Sequence, residues 1–173
     1  MKRSVQNAER IYQGLKEAKI DFVVHLPESY MKEVIPFIQQ DSSMKYVQVC
    51  REEVGVNIAA GAFLGGKKPA MLMEDTGVGN SVNPLVSIHN LWRIPLLLVL
   101  TYRGDIGDFT FYTAPCKYAK PLLDSLGISS YILRDPEEIV PMIYDCVQSA
   151  LAQKMPVALL LTKQIIYGSG RNE

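Results

Sequence analysis

Apolar and polar positions follow two rhythms along this chain. From Ser4 to Ala18 the apolar residues Val5, Ala8, Ile11, Tyr12, Leu15 and Ala18 recur at the i, i+3, i+4, i+7 spacing of a one-sided helix, with Ser4 placed to cap it. "DFVVHLP", from Asp21 to Pro27, is instead a short β-branched and aromatic run closed by proline, which predicts a strand. "KYVQVC", "KPAMLME", "IPLLLVLTY", "SSYILR" and "PVALLLT" are runs of the same kind and predict five more. Helices are expected between them. Ser29 can cap one over "YMKEVIPFIQQ", shortened or kinked at Pro36; the others run over Glu52 to Leu64, Ser81 to Asn90 and "KYAKPLLDSLG", the last stopped by Gly127. "DPEEIVPMIYDCVQSALAQ" opens with Asp135 as N-cap, Pro136 at the first helical position and acids in the first turn. "DTGVGN" reads as a tight loop, and "RGDIGDFTFYTAP" as a long loop of functional type, polar and aromatic without a period.

Almost continuously apolar strands alternating with helices imply a sheet buried on both faces. The expected fold is therefore α/β: one three-layer domain with a six-stranded, mainly parallel sheet and helices on both sides. Its 173 residues suit a single domain, expected over residues 1–167, with a loose tail over 168–173. Eighteen Lys plus Arg balance eighteen Asp plus Glu, which argues against a nucleic-acid partner. Cys50, Cys116 and Cys146 are odd in number and widely spaced, so neither a disulfide framework nor a metal cage is expected, and reduced thiols suit a cytoplasmic location. No secretion signal opens the sequence, and Ile94 to Leu100, its most apolar run, is far short of the ~20 residues that span a bilayer.

In open α/β sheets, ligands gather at the carboxyl ends of the strands. The segments at those addresses are "HLPES", "CREE", "MEDTGVGN", "TYRGD" and "LTKQ". "EDTGVGN" could cradle an anion at a helix start, or could simply be a turn that needs glycine. It lacks the lysine and hydroxyl of a P-loop and the spacing of a dinucleotide fingerprint. This speaks against a flavodoxin-like nucleotide-binding domain. No nucleophile elbow accompanies the two histidines. His89 falls late in a helix, as a structural histidine would; His25 ends the first strand, an address for a ligand contact. Arg103 could hold a carboxylate or sulfonate through its planar fork, or pair with Asp105 and order its own loop. Lys117 reads as a surface lysine.

The most pointed pattern is "CREEVGVNIAAGAFLGG". At ~100° per residue, Glu52 lines up with Gly55, Ala59, Ala62 and Gly66, a stripe of the smallest side chains. Two acids in a first helical turn complement the helix dipole, which suffices for Glu53. Glu52, however, tops the face best suited to close approach by another subunit, where a carboxylate is costly unless a partner shares its charge.

"REEVGVNIAAGAFLGGKKPAMLMEDTGVGNSVNPL", together with "FVVHLPESYMKEVI", "IPLLLVLTYRGD" and "LLDSLGI", resembles the pyrimidine-binding domain of thiamine diphosphate enzymes. More narrowly it is similar to sulfopyruvate decarboxylase alpha subunits and to the N-terminal half of phosphonopyruvate decarboxylases. The resemblance implies that Glu52 hydrogen-bonds the ring nitrogen of the cofactor's aminopyrimidine and promotes its imino tautomer, where two subunits pack along the small-residue face. It implies that Thr76, Gly77, Gly79 and Asn80 also contact the cofactor, and that His25, Ser29 and Arg103 face the substrate. The implied reaction is decarboxylation of a 2-oxo acid, sulfopyruvate giving sulfoacetaldehyde and CO2 in coenzyme M biosynthesis, or phosphonopyruvate or another 2-oxo acid in its place. The family's G-D-G motif for magnesium and diphosphate is missing. No metal site is therefore expected in this chain, and a separate beta subunit should bring Mg2+ and the diphosphate site within an alpha/beta hetero-oligomer, without which this chain is inactive. Glu74, Asp75 and Tyr102 depart from the family pattern, in which neutral amides and a histidine are usual. A reading of another class is a catalytically idle pyrimidine-domain homologue that binds a partner or a ligand.

Overall fold

The computed structural model describes residues 3–109 and 117–168. Six strands form one sheet: β1 (Phe22–His25), β2 (Lys45–Gln48), β3 (Pro69–Glu74), β4 (Leu96–Thr101), β5 (Ser129–Leu133) and β6 (Pro156–Leu161). Their order is β2-β1-β3-β4-β6-β5, and every pairing is parallel, a stricter arrangement than the mainly parallel sheet expected. β3, β4 and β6 occupy the centre, and β4 and β6 are buried at every residue, as continuous apolar runs require.

Two apolar layers flank the sheet, and strand alternation sorts the side chains between them. On one side α1 (Val5–Glu17) and the long helix Ile139–Gln153 pack over Val23, Leu72, Val99 and Leu159. On the other, α3 (Glu52–Leu64) packs over Val24, Met71, Met73 and Leu98. Ile11 and Leu15 of α1 are fully buried, each contributing about 1.5–3 kcal/mol relative to exposure. Ser4 caps α1 as expected, its hydroxyl accepting from the Asn7 amide at 3.2 Å. Asp135 accepts from the Glu137 amide at 2.9 Å, but its first turn, Pro136–Glu138, is a tighter 3-10 turn before the α-helix begins.

Three local expectations are corrected. Ser29 caps nothing. Glu28 does so instead, its carboxylate accepting from the Tyr30 amide at 2.6 Å and the Met31 amide at 2.7 Å. The helix over "YMKEVIPFIQQ" is split into a 3-10 turn, Tyr30–Glu33, and α2, Ile35–Gln40, with Pro36 in the first turn of α2, where its missing N–H costs nothing. "DTGVGN" is not a loop: Gly77–Asn80 is a helical turn, α4, followed by a short turn, α5 (Val82–Pro84), and a wider π-helical segment, Leu85–Asn90. The helix after Tyr118 is α6 (Ala119–Ser125), ended by Gly127 at φ +69°. The long helix is α7, and α8 (Lys163–Tyr167) closes the described chain. Beyond Phe109, the expected functional loop lies outside the described residues, as does the tail from residue 169. No helix among the described residues is long and apolar enough to cross a membrane.

Candidate active site

Glu52 is the first residue of α3, presented at the C-terminal edge of the sheet just after β2. Its half-buried carboxylate has a protein partner, Asn80, whose side-chain amide donates to Oε2 at 3.0 Å. The Glu52 side chain lies flat across Gly77. A Cβ at position 77 would stand 2.4 Å from Glu52 Cγ and 2.9 Å from Oε1, so only glycine leaves room. A Cβ at Gly79 would press on the Tyr118 ring at 3.3 Å, and the Tyr118 hydroxyl donates to the Thr76 carbonyl at 2.7 Å. The sequence therefore folds Glu52, Thr76, Gly77, Gly79 and Asn80 into one constellation. Tyr118 belongs to it as well and was not foreseen, because it lies some forty residues away with no motif around it.

The small-residue stripe divides into a buried and an exposed half. Gly55 and Ala59 are buried against the chain's own sheet, and a Cβ at Gly55 would meet Met71 Cε at 2.6 Å. Gly55 and Ala59 thus draw α3 down onto β1 and β3, while Ala62 is half-buried and Gly66 exposed. The opposite side of α3 and the segment beside it instead carry exposed apolar side chains: Val54, Leu64, Val86, Leu91 and Trp92. Glu53 pairs with Arg51, and the Asn57 amide donates to its carbonyl at 2.8 Å.

Arg103 is buried. Its Nη2 lies 3.0 Å from a Glu74 oxygen and 3.4 Å from a Glu28 oxygen, and its guanidinium stacks 4.1 Å over the Tyr30 ring. Asp105 pairs with Arg134, not with Arg103, so the local-pair alternative for Arg103 is set aside. Both carboxylates meet one nitrogen of the fork, Nη2. Next to it, Asp75 is fully buried and accepts from the Arg103 backbone amide at 3.1 Å. Burial, reinforced by the Glu74 charge, pushes the Asp75 carboxyl up to about 7, and burial likewise raises Glu28. Of the two acids that depart from the family pattern, Glu74 pairs with the Arg103 guanidinium and Asp75 with the Arg103 backbone amide.

His25 and Ser29 do come together, lining one open cleft beyond the ends of β1 and β2 with Lys32, Tyr46 and Gln48. His89 is structural: its ring nitrogens lie 2.9 Å from the Ile94 carbonyl and 3.2 Å from the Val56 carbonyl, tying the π-helical segment to α3. Lys117 is exposed.

Comparison with known proteins bears directly on this constellation. Residues 6–104 match the family described as thiamine pyrophosphate enzyme, N-terminal TPP binding domain. The chain belongs to this family. The matched span holds Glu52, Thr76, Gly77, Gly79 and Asn80. Its relatives include the sulfopyruvate decarboxylase subunit alpha of Methanothermobacter thermautotrophicus, 36% identical over 91% of this chain and 96% of that protein. The subunit of the same name from Methanococcus maripaludis is 32% identical over 89% of this chain and 93% of its own length. The phosphonopyruvate decarboxylase of Streptomyces viridochromogenes is 27% identical over 92% of this chain, which spans only 41% of that protein. Among solved structures, a 2-oxoglutarate:ferredoxin oxidoreductase from Magnetococcus marinus superposes with a TM-score of 0.73 at 17% identity, over 93% of this chain and 29% of that one. That likeness shows the fold.

Proposed function

We propose that this chain is the alpha subunit of a heteromeric, thiamine diphosphate-dependent decarboxylase of 2-oxo acids, with sulfopyruvate as substrate and sulfoacetaldehyde and CO2 as products. The observation that carries the reading is the Glu52 carboxylate, laid over Gly77 at the head of an apolar helix and fixed by Asn80. The full-length relatives named sulfopyruvate decarboxylase subunit alpha support the substrate. The same name supports a partner chain, and the apolar surface around Trp92 and Leu91 offers it a place to dock.

The residues present suit the aminopyrimidine end of the cofactor. Glycines at 77 and 79 let the Glu52 carboxylate and the Tyr118 ring lie directly on the turn, with Oε1 against Gly77 and Oε2 held by Asn80. Thiamine diphosphate, when bound, supplies a carbon nucleophile and an electron sink for the departing carboxylate. In this chain Glu52 accepts and returns a proton at Oε1, while Asn80 holds the other oxygen and so fixes the direction of transfer. Val78 and the apolar layer under α3 back the turn from the side of the sheet. The sequence carries no G-D-G turn, and Mg2+ with the diphosphate is assigned to the beta subunit.

The test is a decarboxylation assay on this chain co-purified with a beta chain, with thiamine diphosphate and Mg2+ present and sulfopyruvate, phosphonopyruvate and pyruvate compared. CO2 release should require both chains and be fastest with sulfopyruvate. Glu52→Gln should lower kcat by about 10²-fold or more without loss of assembly, and Gly77→Ala should do nearly as much by displacing Glu52. Full activity in Glu52→Gln would overturn the assignment; preference for phosphonopyruvate would move the chain to that substrate.

A further inference from the structure

The turn α4, which carries Asn80, is only four residues long, and a helix so short does not hold itself. Its orientation is set by what packs on it. Val78 is fully buried beneath it. Gly77 and Gly79 point to nearly opposite sides, since two helical residues advance by about 200°. Each of these sides is taken by a side chain from another element. Glu52, from α3, lies on Gly77. Tyr118 lies on Gly79, where a Cβ would stand 3.3 Å from the ring and 3.4 Å from its hydroxyl oxygen. The two glycines thus let the turn be gripped from both sides.

Tyr118 holds the turn at two points. Besides the ring contact, its hydroxyl donates to the Thr76 carbonyl at 2.7 Å, the same oxygen that the Gly79 amide reaches at 3.2 Å. The side chain is delivered from a firm base. The next residue, Ala119, and Leu123 a turn later are fully buried, and α6 packs against α4. At the other end of the turn Asn80 donates to Glu52 Oε2 at 3.0 Å. Tyr118 therefore reaches Glu52 through the turn, by way of Thr76, Gly79 and Asn80.

We propose that Tyr118 is a positioning residue for Glu52: with its ring on Gly79 and its hydroxyl on the Thr76 carbonyl, it fixes the turn and so the direction from which Asn80 holds the Glu52 carboxylate. The consequence for turnover rests on the function proposed above; the brace itself does not. Two variants separate its parts. Tyr118→Phe removes the hydroxyl and keeps the ring, and Tyr118→Ala removes both.

The brace is read first without turnover, from the side-chain amide of Asn80 in the NMR spectrum of the full chain, identified by its loss in Asn80→Asp. Tyr118→Ala should shift this amide towards the position of a solvent-exposed one, and Tyr118→Phe should shift it the same way by less. The Asn7 amide, on the α1 side of the sheet and bonded to the Ile165 carbonyl at 2.8 Å, should stay in place and so report that the variants are folded. If Tyr118→Ala loses the Asn7 signal, Tyr118→Phe decides by the same criterion. In the assembly with the beta chain, Tyr118→Ala should lower kcat about tenfold while KM for the 2-oxo acid changes by less than about twofold. Added to Glu52→Gln it should bring no further loss, because residues that act as a unit are not additive. An unmoved Asn80 amide in the folded variant, or a loss equally large on the Glu52→Gln background, overturns the proposal. An assembly that decarboxylates no 2-oxo acid overturns the function instead, and leaves the amide shift to decide the brace.

Discussion

Asp75 is a single carboxylate sealed at the end of the central strand β3, with one oxygen bonded to the Arg103 amide and the other without a partner among the described residues. Burial first, then the charge of Glu74, pushes it up to about 7 against an ordinary value of 3.8, with Arg103 pulling the other way. A carboxyl whose pKa is raised in the folded state favours folding while protonated. That stability is fully present below the unfolded value near 3.8 and is lost as pH rises through about 7. Asp75→Asn keeps the shape and the acceptor for the Arg103 amide but removes the titration. The variant should therefore gain on the parent between pH 5 and pH 8 by on the order of 2–4 kcal/mol, read from paired thermal melts. Parallel melting curves across that range would show the shift to be absent. His25, pushed down to about 4, acts in the opposite sense: its contribution is present above 6.5 and lost as pH falls through about 4. The comparison with Asp75→Asn cancels it.

At the scale of elements, helix ends decide how the sheet edge is built. Glu28 caps the Tyr30–Glu33 turn and so brings its own charge to Arg103, joining the ends of β1, β3 and β4 in one ionic cluster. The π-helical segment Leu85–Asn90 is held to α3 through His89, which couples the helix bearing Glu52 to the turn that supports it. At the far end of the molecule α7 stops at Lys154, which adopts φ +52°, a left-handed conformation that a side chain makes costly. Glycine is the residue suited to that position. Lys154→Gly should stabilise the chain by about 1 kcal/mol and raise Tm by about 3 °C, measured by calorimetry, with no effect on the sheet edge where Glu52 lies.

At the scale of the whole molecule the surface is uneven. Leu64, Leu91 and Trp92 are more than two-thirds exposed, a cost for a chain that stays alone and an asset for one that pairs. They lie on the outer side of α3 and the segment packed beside it, near the helix that begins at Glu52. Trp92→Glu should weaken association with the beta chain at least about tenfold in size-exclusion or pull-down assays, and change the thermal stability of this chain by no more than about 0.5 kcal/mol. Undiminished assembly would place the partner elsewhere.

The central strands and their burial were legible from the pattern alone, because a strand covered on both faces must be apolar at every position; the edge strands β2 and β5 are partly exposed and carry no such signal. The sequence also singled out Glu52 and the "DTGVGN" segment as candidates, through an acid opening an apolar helix and a glycine pair at a strand end. What these residues do to one another follows from the packing of the elements. The stripe of Gly55 and Ala59 gave no sign of which way it faced, because small side chains suit close packing on one's own sheet as well as on a partner's. The helical period marks a face; the register of α3 over β1 and β3 assigns it. Arg103 could not be matched to Glu74 and Glu28, or His25 to Tyr46, from spacing alone, since the sheet order places the partners side by side after crossovers of twenty to seventy-five residues. Those pairings join Arg103 to two carboxylates of its own chain and His25 to the neighbouring strand.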